Sequence, residues 1–236
     1  EAGGLEDLLS EVVTVRGPLF TLRRGLAGSR RIVLAESGPG AAAAARAAET
    51  LIAAHQPDWL ISAGFAGALN EDVKRHDLLL ADSVIRPDGA RIAIHLPIDP
   101  ANLPGCPNVH VGGLCTADRI IRLPDEKRKL GEESAALAVD METFAVAEVC
   151  RRRNLPLIAA RIISDAVGDQ LPDDLEQLAR QQTPVRKLGA VFGAVLNRPA
   201  SVKDMLQLKE NALLASDRLA GLLQSIIRQL TAPPPP

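Results

Sequence analysis

Apolar residues along the chain fall into short runs separated by glycine- and proline-rich breaks, and their spacing alternates between strand-like and helical. Arg31-Ile-Val-Leu-Ala-Glu36 is a β-rich run stopped by Ser37-Gly38-Pro39-Gly40. The Ala-rich stretch from Ala41 to Ala54 predicts a helix, and Pro57-Asp58 ends it. Trp59-Leu-Ile-Ser62 then predicts a strand that ends in a glycine-rich turn, Gly64-Phe65-Ala66-Gly67. This strand–turn–helix–strand order is a βαβ unit. Asp77 to Ile85 predicts a third strand, and residues 86–113 read as proline-rich loops around short strands. Pro124-Asp125-Glu126 opens a helix with acidic residues in its first turn. Ala135 to Val139 predicts a buried strand. Met141 to Arg153 predicts an amphipathic helix whose basic end suits the helix dipole. Leu155 to Ile163 is nearly continuous in apolar residues, as expected of a strand covered on both faces, and ends at Ser164-Asp165. Helices are predicted over 174–196 and 201–230, and the Pro233–Pro236 tail is expected to be extended.

The alternation predicts one α/β domain over residues 1–236, built on a mixed or mainly parallel sheet. The chain is long enough to bury one sizeable core, and no internal repeat or long linker divides it. Aromatic residues make up only 2% and tyrosine is absent, so the core must be made of Ala, Leu, Val and Ile. A formal net charge of -2 argues against a general nucleic-acid or acidic-membrane surface. No apolar run approaches the ~20 residues a spanning helix needs. The chain starts at Glu1 with neither an initiator Met nor a signal-peptide pattern, which leads us to expect residues upstream. Cys106, Cys115 and Cys150 form no CxxC pair and are expected to be reduced thiols of a cytoplasmic protein. His55, His76, His95 and His110 lack metal-ligand spacing, so neither a metal nor a cofactor is expected.

Two acidic features sit where ligands bind in such sheets, just past the carboxyl ends of strands. One is Asp140-Met141-Glu142 and the other is Ser164-Asp165. A helix joins their two strands, so a right-handed crossover is expected to make the strands near neighbours. Taken alone, Asp165 is more often a loop residue or a helix cap. A pair of acids at successive strand ends beside an apolar crevice is rarer and points to a site.

Four motifs occur in order: Ser37-Gly-Pro-Gly40, Gly64-Phe-Ala-Gly67, Ala138-Val-Asp-Met-Glu-Thr143 and Arg161-Ile-Ile-Ser-Asp165. Together they resemble the nucleoside phosphorylase/nucleosidase superfamily, with the methylthioadenosine/S-adenosylhomocysteine nucleosidases the nearest likeness. The resemblance implies a three-layer α/β/α fold on a mixed, mainly parallel sheet. It also implies cleavage of the N-glycosidic bond of a purine nucleoside through an oxocarbenium-like sugar. By resemblance, Asp165 donates a proton to the leaving base, which requires a carboxyl kept protonated by apolar neighbours such as Ile162 and Ile163. Glu142 accepts hydrogen bonds from the ribose hydroxyls, and Met141 packs on the sugar. Glu1 fits the place of the glutamate that activates water, with the family's first strand lying before it. Its competing reading is a frayed terminus. Ser164, Gly38, Gly40, Phe65, Ala66, Gly67 and Ile120 fall on the substrate-binding positions. Homo-oligomers are the family's usual state.

The pattern departs from the nucleosidases in three places. Phe65 stands where a small hydroxyl residue is usual, Ile120 or Ile121 replaces an aromatic stacker, and Arg119 and Arg122 add charge nearby. The arginines are either surface residues at a helix start or recognise an anionic substrate tail. Hydrolysis of an adenine-type nucleoside is the first expectation. One alternative is a phosphorylase that also takes phosphate, with Arg23, Arg24 or Arg119 conceivable for holding it. Others are a hydrolase of a futalosine-like or lipid-linked nucleoside, and a nucleoside-binding protein without catalysis.

Overall fold

The structure is a computed structural model that describes residues 9–17, 20–171 and 202–230, with the side chains of 202–212 excepted. Glu1, the helix expected over 174–196 and the 233–236 tail lie outside the described residues.

Strands β1 (Ser10–Arg16), β2 (Thr21–Ala27) and β3 (Arg30–Glu36) form an antiparallel sheet in chain order. Only β3 is legible in the sequence pattern. β1 is exposed along its whole length and β2 mixes Arg23, Arg24 and Gly25 with apolar residues, so neither carries an apolar face to announce it. Gly40 starts helix α1 (Ala41–His55) at φ 98, a conformation that favours glycine.

The main sheet holds six strands in the order β6-β5-β7-β8-β4-β9: β4 (Leu60–Ala68), β5 (Leu78–Ile85), β6 (Arg91–Ala93), β7 (Val109–Thr116), β8 (Ala136–Asp140) and β9 (Leu157–Asp165). β5 also pairs with β9 through Leu78, Leu79 and Leu80, which curls the sheet closed. The pairs β5–β7, β7–β8 and β4–β9 are parallel, whereas β5–β6, β4–β8 and β5–β9 are antiparallel. The sheet is therefore mixed, without the parallel majority expected.

Two further expectations are corrected by this pairing. Gly64 to Gly67 is not a turn but the body of β4, with Gly64 opposite Arg161 and Gly67 opposite both Asp165 and Val139. β8 and β9 are near neighbours but run antiparallel with β4 between them, so they are not joined by the right-handed crossover expected of parallel strands. Glycine serves clearance there rather than a turn: a Cβ on Gly67 would lie 2.9 Å from Asp165 Oδ2.

β9 faces two packed layers, as its continuous apolar run requires. Leu157, Ala159 and Ile163 join a core with Ala44 and Ala48 of α1 and with Phe144, Val146 and Val149 of helix α3 (Thr143–Arg152). Ile158, Ala160 and Ile162 face helix α4 (Val202–Gln229), which presents Ala215, Leu219, Leu222 and Ile226 at helical spacing. Full burial of one such Leu or Ile is worth about 1.5–3 kcal/mol. Helix α2 (Pro124–Ser134) approaches the sheet more closely than its charged sequence predicts. A Cβ on Gly131 would stand 2.5 Å from the Leu69 carbonyl, so only glycine permits the contact. Among the described residues no helix is long and apolar enough to cross a membrane.

Candidate active site

Val139 carries β8 into Asp140, and the chain turns there into α3. Asp140 is buried and collects donors from three elements. Thr116 Oγ1 of β7 donates to it at 2.7 Å, and the Thr143 N–H does so at 3.2 Å to Oδ2. Arg161 of β9 donates through Nη2 at 2.9 Å and Nε at 3.1 Å. The Thr143 hydroxyl also bonds Asp140 and is met in turn by Arg161. Arg161 further reaches the Ser62 carbonyl and hydroxyl of β4, each at 2.8 Å. Asp140 thus holds the first N–H of α3 while Arg161 satisfies the charge, and Met141 and the N-cap residue Glu142 between them are held in one place.

Glu142 turns back toward the glycine-rich turn after β3. Its Oε1 accepts the Gly40 N–H at 2.7 Å and its Oε2 accepts the Met141 N–H at 3.1 Å. Burial raises its pKa above the ordinary glutamate range and the nearby Asp140 charge adds to the rise, against the pull of the Gly40 N–H, Arg161 and the Met141 N–H. The Ser37–Gly40 turn and Glu142, separate in sequence, therefore form one structural unit. Gly38 lies in that turn at φ 73. Arg23 lies beside it, paired at 2.9 Å with Glu36, the residue just before Ser37.

Asp165 ends β9 and is buried. Its surroundings are not the apolar ones expected. Lys127 Nζ of α2 stands 2.5 Å from Oδ2, and Ser164 Oγ stands 2.5 Å from Oδ1. Ser164 Oγ also lies 3.2 Å from the Ala66 carbonyl of β4. Ile162 and Ile163 are fully buried, but Ile162 packs toward α4 and Ile163 toward α1 and α3. Both oxygens of Asp165 accept hydrogen bonds, the pattern of a carboxylate rather than of a free acid.

The expected residues converge in part. Register places Gly67 of β4 between Asp165 on one side and Val139, the residue before Asp140, on the other. Ala66, Gly67, Ser164 and Asp165 thus meet at the end of β4, and Met141 and Glu142 follow Asp140, which pairs with Arg161 of β9. Phe65 points to the other face and packs among the residues under α4. Ile120 is a half-buried residue of the segment between β7 and α2, while Ile121 packs against Leu69 and Val139. Arg119 pairs with Glu126 at 3.1 Å, and Arg122 donates to the Leu171 carbonyl, so both serve the start and flank of α2.

Sequence reasoning missed Lys127, the largest fully buried polar side chain of the described residues. A signal exists in retrospect. Lys127, Leu130, Gly131 and Ser134 repeat at the helical spacing of an inward face, so the lysine occupies a core position on an otherwise charged helix.

Comparison with known proteins adds five findings. A family model described as the phosphorylase superfamily matches residues 3–197. The 5'-methylthioadenosine/S-adenosylhomocysteine nucleosidase of Tolumonas auensis is 26% identical over 200 residues, covering 75% of this chain and 86% of the relative. That of Staphylococcus aureus is 28% identical over 183 residues, covering 69% and 79%. Among solved structures, the Neisseria meningitidis nucleosidase in complex with methylthio-immucillin-A superposes with a TM-score of 0.72 at 20% identity, covering 97% of this chain and 94% of that one. The Streptococcus pneumoniae nucleosidase in complex with 8-aminoadenine gives 0.73 at 21% identity, covering 97% and 95%.

Proposed function

Because the chain belongs to the phosphorylase superfamily, we propose that it is an N-glycosyl hydrolase that releases adenine from a nucleoside. The observation that carries this reading is that Gly67 of β4 pairs with Asp165 on one side and, on the other, with Val139, three residues before Glu142, in a chain whose relatives are named nucleosidases. Breaking the bond leaves positive charge on the sugar and an electron pair on the base. Asp165 passes a proton to the base, which then leaves neutral, and such help is typically worth ~100- to 10,000-fold in rate. Glu142 accepts hydrogen bonds from the ribose hydroxyls and Met141 packs on the sugar. Glu1 is assigned to orienting the attacking water. The glycine turn with Gly38 and Gly40, the β4 residues Ala66 and Gly67, and Ile120 belong to the substrate's surroundings, whereas Phe65 packs under α4 on the other face.

We read the helices on either side of the closed sheet as the outer layers of one three-layer α/β/α domain over 1–236. A cytoplasmic homo-oligomer is the state we assign to it. Phosphorolysis is the second reading, and Arg23 beside the Ser37–Gly40 turn is the observation that favours it. A phosphate site needs charge-assisted donors, yet Glu36 already neutralises Arg23, and Pro39 removes one turn N–H. Product analysis with adenosine and methylthioadenosine, at zero and saturating phosphate, tests the proposal. Free ribose or methylthioribose with adenine, at a rate independent of phosphate, is expected. A sugar 1-phosphate formed only when phosphate is present would overturn hydrolysis in favour of phosphorolysis.

A further inference from the structure

We propose that Lys127 is a positioning residue that acts through Asp165, supplying the proton that Asp165 hands to the leaving base. This rests on the reading of Asp165 as the acid. The lysine sits on α2 with no exposed surface, at a depth where an uncompensated ammonium is strongly unfavourable. Its three N–H groups have three acceptors: Asp165 Oδ2 at 2.5 Å, the Ala166 carbonyl at 2.9 Å and the Asp169 carbonyl at 2.9 Å. An ammonium has three donors and a neutral amine two, so the pocket is shaped for the charged form.

The loop that makes this pocket is itself fastened. The Asp169 N–H donates to the Ala166 carbonyl at 3.1 Å, and the Ala166 N–H donates to Asp169 Oδ2 at 2.6 Å. Arg75 pairs with the same Asp169 oxygen at 2.6 Å. Asp165 is bounded on its remaining sides by Ser164 Oγ and by Gly67, where no side chain could be accommodated. A carboxylate with both oxygens accepting has no proton to give. The nearest proton on a titratable nitrogen is on Lys127, along a contact already made. Away from water, the charged ammonium–carboxylate pair loses much of its advantage over the neutral amine–acid pair, so transfer between them is accessible.

The step balances without another reactant. One proton moves from Lys127 Nζ to Asp165 as the bond between the sugar's anomeric carbon and the base nitrogen breaks, its electron pair going to the base. Asp165 passes a proton to the base and returns to a carboxylate, leaving Lys127 as a neutral amine. Water adds to the anomeric carbon and releases one proton, and Lys127 regains one when the products leave. The sum is nucleoside plus water giving sugar plus base.

Two substitutions separate proton supply from support. Lys127→Arg keeps the charge and the donors, but a guanidinium does not release its proton in a protein. Lys127→Met keeps the length without charge or proton. Adenine release from methylthioadenosine under single-turnover conditions, KM and the melting temperature are measured for both, for Asp165→Asn and for each double variant. Lys127→Arg is expected to lose roughly 100-fold or more in rate, the scale of general-acid help, while KM stays within about threefold. Each double variant is expected to be no slower than Asp165→Asn alone, because Lys127 acts through that residue. A Lys127→Arg rate within about tenfold of the parent would overturn the proposal. So would losses that add in the double variants, a KM change as large as the rate change, or failure of both Lys127 variants to fold. Asp165→Asn retaining the parental rate would instead remove the acid role on which the proposal rests.

Discussion

Glu142 sits at a tension between folding and chemistry that a single substitution can expose. Burial and the Asp140 charge raise its pKa, so the folded chain holds a proton over a pH range where the unfolded chain has lost it. In that range stability falls as pH rises, and above the raised value the full cost of the buried charge is present. Glu142→Gln should therefore raise the melting temperature at pH 8 and change it little at pH 4. Equal shifts at both pH values would show that the charge is not the cause. The same variant should lose more kcat/KM on ribosides than on 2'-deoxyribosides if Glu142 accepts from ribose hydroxyls. The cysteines give a second residue-scale contrast. Burial pushes the Cys115 and Cys150 thiols up to about 11, whereas Cys106 is only half-buried. A thiol-disulfide reagent at pH 8 should label one thiol quickly in the folded protein, and Cys106→Ser should abolish that fast phase. A fast phase that survives the substitution would place the reactive thiol elsewhere.

At the scale of elements, two junctions hold the candidate site. At the first, Arg161 of β9 and Asp140 at the end of β8 share a buried ion pair that spans β4 and holds the first N–H of α3. Arg161→Met leaves the Asp140 carboxylate buried without its cation, a loss of about 3–5 kcal/mol for pairs of this kind. Urea denaturation should show the loss, and a change under about 1 kcal/mol would make the pair incidental. At the second junction, Gly67 gives Asp165 the space it occupies. Gly67→Ala should displace the carboxylate from its contact with Lys127, lowering the turnover rate at least ~10-fold. In a strand interior the backbone cost of glycine itself, roughly 0.5–1 kcal/mol relative to alanine, is removed and partly offsets the crowding. Unchanged turnover in Gly67→Ala would mean that Asp165 can move without consequence.

For the whole molecule, the closed sheet must be covered on both faces, and α4 supplies one cover. Leu222 is fully buried between α4 and the β5 and β9 residues Leu78, Leu80, Ile158 and Ile162. Leu222→Ala removes that packing and opens a cavity, which costs about 2–5 kcal/mol and lowers the melting temperature on the order of 10 °C in a chain this size. Calorimetry checks it, and a shift under about 2 °C would mean that α4 contributes little to the fold.

The apolar pattern by itself determined the strands β3, β4, β5, β8 and β9 and the helices α3 and α4, because each has a face or a run that only burial satisfies, while alanine composition marked α1 and Pro124 with its acidic first turn marked α2. It also brought out Asp165 and Glu142, since strand ends followed by acidic residues are a local signal. The tertiary structure decided what local patterns cannot carry. Strand order and the β5–β9 closure depend on pairings between segments far apart in the chain, so the expected right-handed crossover from β8 to β9 gave way to antiparallel strands with β4 between them. Gly64 and Gly67 look like turn residues in sequence, yet both lie inside β4, and Gly67 clears space for the Asp165 side chain of the neighbouring strand. Lys127 shows the same limit most plainly. A lysine on a charged helix reads as solvated, and only the approach of Gly131 to Leu69 drives it inward to meet Asp165. The identity of the candidate acid was written in the chain, whereas its hydrogen-bonding partners came from the packing of elements the sequence does not join.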